Sequence, residues 1–218
     1  MKTVRILIAD DHDIVREGLR RLLQPLSHWT VCDEAATGRE ALEKARRHKP
    51  HVVVMDFSMP ELNGLEATRL IRKAVPRTEV LILTMHDSEQ LAREVLTAGA
   101  RGFVLKTHAR SQLVPAVTAL AQHKPYFDSG VSAMLLHSFL NPKTSVVAGS
   151  TSAGRLTPRE REILQLIAEG RTSKEMAARL GVTVKTVEAH RANIMNKLDL
   201  HSASQLVLYA VRNNIVQA

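Results

Sequence analysis

The sequence predicts two domains of different fold class, an α/β domain with a doubly wound parallel sheet followed by a smaller all-α domain. Its 218 residues exceed the usual size of one domain and fall short of three. Short apolar runs alternate with helix-like stretches up to Ala121, and this rhythm then stops. From Leu156 onward the chain carries helix signals and no strand signals.

Five short β-branched or aliphatic runs occur in the first half, and each is followed by a helix-like pattern. Near-continuous apolar runs are typical of strands that helices bury on both faces, as in a parallel sheet. Five such units predict a doubly wound domain over residues 1–123. The predicted strands are Val4–Ala9, Thr30–Cys32, His51–Met55, Val80–Thr84 and Gly102–Leu105.

Proline, glycine and small polar residues are frequent in residues 124–154. We interpret this segment as a linker that contains one helix at 131–140. Residues 155–218 follow it as the second domain.

The second domain carries a repeated helix-start pattern in which Thr or Ser stands three residues before Glu or Gln. Such a pair can form a capping box, in which each side chain accepts from the other residue's backbone N–H. The pattern begins at Thr157, Thr172 and Ser202. Gly170 and Gly181 stand where helices should end, so we expect a domain of four short helices.

Composition excludes several classes of protein. With 44% hydrophobic and 24% charged residues the chain does not resemble a disordered protein, and its one cysteine, Cys32, cannot form an intramolecular disulfide. The apolar run before Asp10 is too short for a signal peptide or a membrane span, so we expect a cytoplasmic protein without membrane contact. The net charge of +8 indicates a polyanionic partner such as nucleic acid.

Five polar residues stand where the predicted strands end, at the sheet edge where doubly wound folds bind ligands. They are Asp10, Asp11, Asp56, Thr84 and Lys106. Three carboxylates repel one another unless a divalent cation and an ammonium group offset their charge, and Mg²⁺ or Mn²⁺ prefers such oxygen ligands. A hydroxyl and a lysine are suited to a phosphoryl group. The sequence therefore predicts a metal-assisted phosphoryl site.

These residues resemble the receiver domain of bacterial two-component response regulators. The similarity lies in Asp10–Asp11, Met55–Pro60 with Gly64, Thr84 and Gly102–Lys106, and it covers residues 1 to about 123. The resemblance implies a flavodoxin-like sheet with strand order 2-1-3-4-5 and a phospho-acceptor that a sensor histidine kinase phosphorylates. It implies no enzymatic activity beyond assistance to the protein's own phosphoryl transfer.

The same resemblance assigns a role to each residue of the site. Asp56 would be the phospho-acceptor. Asp11, Asp56 and the Ser58 carbonyl would ligate Mg²⁺, and Asp10 would act through water. Thr84 and Phe103 would form a switch pair, in which the hydroxyl moves toward the phosphate and the ring follows inward. Lys106 would bind the phosphate.

A phosphatase is the alternative for the first domain. Asp11-His12-Asp13-Ile14-Val15 matches the DxDxV pattern of haloacid-dehalogenase-like phosphatases, with Asp11 as the nucleophile. In that interpretation Asp56 has no role, and no acidic pair follows a further strand after Lys106. The alternative predicts that the first half hydrolyses a phosphate monoester.

In the second domain, the segment Val184–Leu198 has the periodicity of an amphipathic helix. The residues expected on its buried face are Val184, Val187, Ile194, Met195 and Leu198. The opposite face is short, polar and basic, which would let it enter a major groove. Periodicity alone does not distinguish this face from an ordinary solvated one.

The wider pattern resembles the LuxR-type helix-turn-helix over residues 155–214. The matching runs are Leu156–Leu164, Ala168–Gly170, Ser173–Ala177 and Val184–His190. A receiver joined to this module is similar to the NarL/FixJ class, which implies a transcription factor that binds double-stranded promoter DNA. Glu188, Ala189 and Ala192 occupy base-facing positions. The full set of candidate DNA contacts is Lys174, Thr183, Lys185, Thr186, Glu188, Ala189, His190, Ala192, Asn193 and Lys197.

Related proteins form dimers through their last helix, here Ser202–Asn213. The candidate interface residues are Leu206, Val207, Ala210 and Val211. We expect a homodimer on inverted half-sites when the chain is phosphorylated, with RNA polymerase as a further partner. The family also implies that the unphosphorylated receiver covers the DNA-reading helix. The alternative, a protein-binding helical module, predicts that Lys185→Ala leaves DNA affinity unchanged.

Overall fold

The computed structural model describes residues 3–128, 130–132, 156–213 and 215–216. The chain divides into two compact units, Met1–Val146 and Val147–Ala218. Most of the predicted linker helix at 131–140 lies outside the described residues, although 130–132 are helical.

The first unit contains one parallel sheet with strand order β2-β1-β3-β4-β5-β6. Its strands are β1 Val4–Ala9, β2 Trp29–Ala35, β3 Val52–Asp56, β4 Glu79–Thr84, β5 Gly102–Leu105 and β6 Tyr126–Phe127. The predicted order of the first five strands is confirmed. All residues of β3 and β4 are buried, which explains why these central strands are continuous apolar runs in the sequence.

Two strands differ from the sequence prediction by more than one residue at an end. β2 continues through Asp33 and Glu34 to Ala35, because an edge strand can direct polar side chains toward solvent. β6 lies beyond the point at which the α/β rhythm was expected to stop. It pairs with β5 so that Phe103 lies opposite Phe127, and its two residues are too few to produce a periodic signal.

In the described part of the first unit, five helices cover the two faces of the sheet. They are α1 Asp13–Leu23, α2 Gly38–His48, α3 Gly64–Ala74, α4 Glu89–Thr97 and α5 Ala109–Ala121, with a short 3-10 helix at Lys106–His108. Because neighbouring residues of a strand point to opposite faces, Leu7 packs with α2, α3 and α4 while Ile6 and Ile8 pack with α1 and α5. This is the doubly wound arrangement that the sequence predicts.

The second unit contains four helices in its described part. They are α6 Pro158–Ala168, α7 Ser173–Leu180, α8 Val184–Leu198 and α9 Ala203–Arg212. Complete capping boxes form at Thr157 and Thr172, as predicted, and the Ser202 hydroxyl accepts from the Gln205 backbone N–H at the start of α9. Gly181 ends α7 at φ +63°, a left-handed conformation that glycine adopts without strain and that allows the tight turn into α8.

The buried face of α8 differs from the prediction at one residue. Val187 and Ile194 are fully buried, and Met195 and Leu198 pack partly against the same core. Val184 is 41% exposed, because it is the first helical residue and lies beyond the edge of the core. Among the described residues, no helix has the length and apolar character needed to cross a membrane.

Candidate functional site

An acidic pocket lies at the carboxyl ends of β1 and β3. Asp10 follows β1 and is fully buried, whereas Asp56 ends β3 and is 4% exposed. The Lys106 ammonium, which follows β5, lies 2.7 Å from Asp10 Oδ2 and 2.9 Å from Asp56 Oδ2. The fold thus brings together three of the predicted residues, and one ammonium group offsets two buried carboxylates.

The pocket also contains the donor set of a metal site. One ligand atom each from Asp10, Asp11, His12 and Asp56 lies within 4.8 Å of the others. Carboxylate oxygens are the donors that Mg²⁺ and Mn²⁺ prefer, so these residues fit the divalent cation that the receiver resemblance implies.

His12 is the member of this set for which the sequence predicts no role. Its Nδ1 lies 2.9 Å from Asp11 Oδ1, and its backbone N–H donates to Asp10 Oδ1 at 2.9 Å. In the sequence, only its position directly after Asp10 and Asp11 indicates that His12 could belong to this site. Ser58 lies two residues beyond Asp56, and its backbone N–H contacts the Asp56 carboxylate. The predicted role of the Ser58 carbonyl as a metal ligand stays a prediction.

Burial controls the ionisation of the pocket. Removal from water raises the pKa of Asp56 to about 6, and the charge of Asp10 adds to this effect while Lys106 partly opposes it. Burial also disfavours the Lys106 ammonium, but its contacts with Asp10 and Asp56 outweigh burial and raise the pKa of the lysine. At neutral pH the pocket therefore contains a charged lysine and an ionised, poorly solvated Asp56.

The predicted switch residues lie on the two strands that follow β3 in the sheet. Thr84 is the last residue of β4 and follows Leu83, which lies opposite Asp56 in the sheet. The Thr84 hydroxyl accepts from the His86 backbone N–H at 3.0 Å. Phe103 on β5 is fully buried, with its ring in the core on the side of α2, α3 and α4. The ring is therefore already directed inward.

The turn after Asp56 requires a glycine. Gly64 begins α3, and a Cβ added there would stand 2.0 Å from the backbone oxygen of Asp56. The Gly64 backbone N–H donates to the Phe57 oxygen at 2.9 Å, so the start of α3 is held directly against the end of β3. This close approach fixes the backbone of Asp56 beside the start of α3.

A second candidate site is the outer face of α8, which follows α7 and the Gly181 turn. Lys185, Glu188, Ala189, Ala192 and Asn193 are exposed there, as predicted. The candidates Lys174 on α7 and Thr183 before α8 are also exposed, whereas Thr186 and His190 are half-buried. The Thr183 hydroxyl accepts from the Thr186 backbone N–H at 3.1 Å and thereby caps α8.

Two of the candidate DNA-contacting residues make contacts with other helices of the same unit. Lys197 Nζ lies 2.8 Å from Oε2 of Glu160, a buried residue of α6, so the ammonium is held against the body of its own unit. The predicted role of Lys197 as a phosphate contact stays a prediction, and within its own unit the residue pairs with Glu160. The Glu188 carboxylate accepts a hydrogen bond from the Ser173 hydroxyl at the start of α7.

The four candidate dimer residues on α9 differ in their exposure. Leu206 and Ala210 are fully buried in the core of their own unit and are not available to a partner. Val207 and Leu208 are exposed on the same helix, and Val211 is half-buried. The apolar surface that α9 exposes thus consists of Val207, Leu208 and part of Val211.

Comparison with known proteins assigns both units to families. The family model described as "Response regulator receiver domain" matches residues 6–118, and that described as "Bacterial regulatory proteins, luxR family" matches residues 154–210. The chain is 42% identical over 215 residues to the "Oxygen regulatory protein NreC" of Staphylococcus haemolyticus strain JCSC1435. That alignment covers 98% of this chain and 99% of the relative.

Solved structures agree with this assignment. The RcsB response regulator of Salmonella typhimurium is 27% identical with a TM-score of 0.64, covering 99% of this chain and 100% of that one. The structure of an RcsB–DNA complex is 28% identical with a TM-score of 0.58, covering 95% and 98% of the two chains. The receiver interpretation thus prevails over the phosphatase alternative, and DNA binding over the protein-binding module. The chain belongs to the two-component response regulators of the NarL/FixJ class and is a DNA-binding transcription regulator with a receiver domain and a LuxR-type helix-turn-helix.

Proposed function

We propose that Asp56 accepts a phosphoryl group from a sensor histidine kinase and that phosphorylation switches the chain into a DNA-binding dimer. The observation that carries this proposal is the position of the Lys106 ammonium, within 3 Å of both Asp10 and Asp56 at the carboxyl edge of the sheet. A cation placed there can bind the phosphoryl oxygens as soon as the transfer begins. Asp56 itself is ionised at neutral pH and faces the pocket.

The transfer forms an acyl phosphate. A carboxylate oxygen of Asp56 attacks phosphorus, the P–N bond of the kinase phosphohistidine breaks, and the departing imidazole takes the electron pair and later a proton. When bound by Asp10, Asp11 and Asp56, a Mg²⁺ or Mn²⁺ ion would offset the negative charge of the phosphoryl oxygens. The chain would turn over no substrate beyond this transfer.

The contacts around β6 support a route from the phosphate to the linker. The new phosphate would attract the Thr84 hydroxyl away from the His86 N–H, next to the strand that holds Phe103. Phe103 is paired with Phe127 of β6. Asp128, the next residue, accepts from the Val131 N–H at 3.0 Å and lies 3.3 Å from His108 Nδ1, two residues beyond Lys106.

If this route operates, Asp128→Asn should weaken the coupling between phosphorylation and DNA affinity. Asparagine can still accept from Val131 through its amide oxygen, but an amide nitrogen then replaces the carboxylate oxygen beside His108 Nδ1. We expect phosphorylation to raise DNA affinity about two- to fivefold less than in the wild-type chain. The check is the ratio of dissociation constants before and after phosphorylation, and an unchanged ratio would argue against a route through β6.

On the DNA side, we propose that the exposed face of α8 reads base edges in the major groove and that Lys174, Thr183 and Lys185 contact phosphates. A dimer on inverted half-sites would use Val207, Leu208 and Val211 of α9. RNA polymerase is a further proposed partner at the promoter. We further propose domain limits of 1–123, 124–154 and 155–218. The location would be the cytoplasm, where kinase and DNA are both accessible.

The proposal is tested by transfer of labelled phosphate from a phosphohistidine donor. Wild-type chain and an Asp87→Asn control, in which an exposed carboxylate outside the pocket is replaced, should take up label with Mg²⁺ present. Asp56→Asn should take up none, because an amide oxygen is too weak a nucleophile to displace the imidazole. Uptake of label by the Asp56→Asn chain would refute the assignment. The phosphorylated wild type, incubated with random-sequence duplexes, would retain the DNA that it prefers.

A further inference from the structure

Glu160 is a buried acid in the second unit to which the proposed function gives no role. It lies in the first turn of α6 and is 4% exposed. Its Oε2 accepts from the Thr157 backbone N–H at 2.7 Å, which completes a capping box. The same oxygen also accepts from Lys197 Nζ at 2.8 Å. A capping box requires only the first of these contacts, and the second joins α6 to the far end of α8.

The residue beside Glu160 makes a matching contact near the other end of α8. An Arg159 guanidinium nitrogen donates to the backbone oxygen of Leu180 at 3.0 Å. Leu180 is the last residue of α7 and directly precedes the Gly181 turn, whereas Lys197 is the second-to-last residue of α8. Two adjacent residues of α6 therefore hold the turn before α8 and the end of α8, which are about 20 Å apart along the helix.

We propose that Glu160 is a positioning residue for DNA recognition, which acts by holding Lys197 and thereby fixing the angle at which α8 meets the groove. Lys197 then orients the helix and neutralises no phosphate. The inference rests on the proposed function in one respect, namely that α8 reads DNA.

The charges explain why the pair would persist on DNA. Burial opposes ionisation of Glu160, but the hydrogen bonds from Lys197 and Thr157 outweigh it and keep the pKa of the carboxyl below its ordinary value. If Lys197 left to contact a phosphate, a buried carboxylate would lose its ammonium partner. Lys197 also lies in the last turn of α8, where the helix dipole favours a positive charge.

The salt dependence of DNA binding separates positioning from phosphate contact. Each phosphate contact that is removed makes the slope of log affinity against log salt shallower by about 0.9 per protomer. We would measure binding of the phosphorylated full chain to two duplexes of equal length, one retained from the random pool by the wild type and one of random sequence. Lys197→Met is the test variant, and Lys185→Met, which removes an exposed lysine of the same helix, is the matched control.

For Lys197→Met we expect an unchanged slope on both duplexes. The preference for the selected duplex should fall on the order of tenfold, which is the discrimination that one base pair provides. Lys185→Met should make both slopes shallower by about 0.9 per protomer. Lys197→Arg should retain the preference, because its guanidinium can still pair with Glu160. A slope for Lys197→Met as shallow as that of Lys185→Met, or an unchanged preference, would overturn the inference.

Glu160→Gln provides the complementary variant, because it keeps the size of the side chain and removes its charge. It should reduce the preference as Lys197→Met does, and the double variant should lose no more than either single variant. Additive losses would count against a shared contact. A purely structural defect lowers the active fraction for both duplexes alike and leaves their affinity ratio unchanged. A wild type that prefers no sequence would overturn the proposed function together with this inference, whereas preference retained in every variant would overturn the inference alone.

Discussion

Replacing Asp56 by asparagine is expected to raise the free energy of unfolding of the first unit by about 3 kcal/mol at pH 7 in the presence of a chelator. Burial raises the pKa of Asp56 from its ordinary value of 3.8 to about 6, and the charge of Asp10 contributes to the shift. The folded chain at neutral pH therefore holds an ionised carboxylate where its charge is disfavoured. Asparagine has nearly the same shape and no charge, so it removes this cost.

The sign of the pH dependence follows from the raised pKa. Below about pH 4 the carboxyl is protonated in folded and unfolded chains alike, so wild type and variant should be equally stable. Between about pH 4 and pH 6 only the unfolded chain releases the proton, so the stability of the wild type falls relative to the variant as pH rises. Above that range the difference reaches its full value.

Trp29 allows this prediction to be measured, because it is the only tryptophan in the chain and lies in β2 of the first unit. Denaturant titrations followed by its fluorescence would compare wild type, Asp56→Asn and the exposed control Asp87→Asn, which should change stability by less than about 0.5 kcal/mol. Added Mg²⁺ should reduce the difference, because the cation binds the folded wild type more tightly than the unfolded chain. Equal stabilities at pH 7, or a difference that persists at pH 4, would contradict the buried-charge explanation.

The pocket could be predicted from the sequence because topology alone brings its members together. Asp10, Asp56 and Lys106 are separated by up to 96 residues, yet each stands where a parallel strand ends, and such ends meet at one edge of the sheet. No knowledge of side-chain packing is needed for that step. β6 could not be predicted in the same way, because two residues carry no periodicity and pair only where β5 leaves an open edge.

The contacts in the second unit that the sequence does not predict have one physical cause. Helical periodicity identifies which residues share a face, but it does not identify what covers that face. Leu206 and Ala210 form an apolar stripe on α9 that could meet either a partner or the core, and the structure assigns them to the core. Lys197 lies where the two faces of α8 meet, and its partner Glu160 lies 37 residues away on another helix, so no local pattern indicates the pair.

Replacing Gly64 by alanine is expected to lower the free energy of unfolding of the first unit by about 3 kcal/mol, whereas Asp56→Asn should raise it. The added Cβ would stand 2.0 Å from the Asp56 backbone oxygen and 3.0 Å from Met55 Cγ. The oxygen belongs to the backbone of β3, a central buried strand, so it cannot move without disturbing the sheet. Because the clash involves the acceptor's own backbone, label uptake should also slow, by about tenfold or more.

Gly18→Ala is the matched control for this prediction. Gly18 lies inside α1, and a Cβ added there would meet no atom within 4 Å. Alanine favours a helix over glycine by about 0.8–1.0 kcal/mol, so this variant should gain stability and keep the wild-type rate of phosphorylation. Denaturant titration and label uptake on the two alanine variants would separate the clash at Gly64 from any general effect of an added methyl group. If Gly64→Ala were as stable as wild type and phosphorylated as fast, the close approach of α3 to Asp56 would have no role in positioning the acceptor.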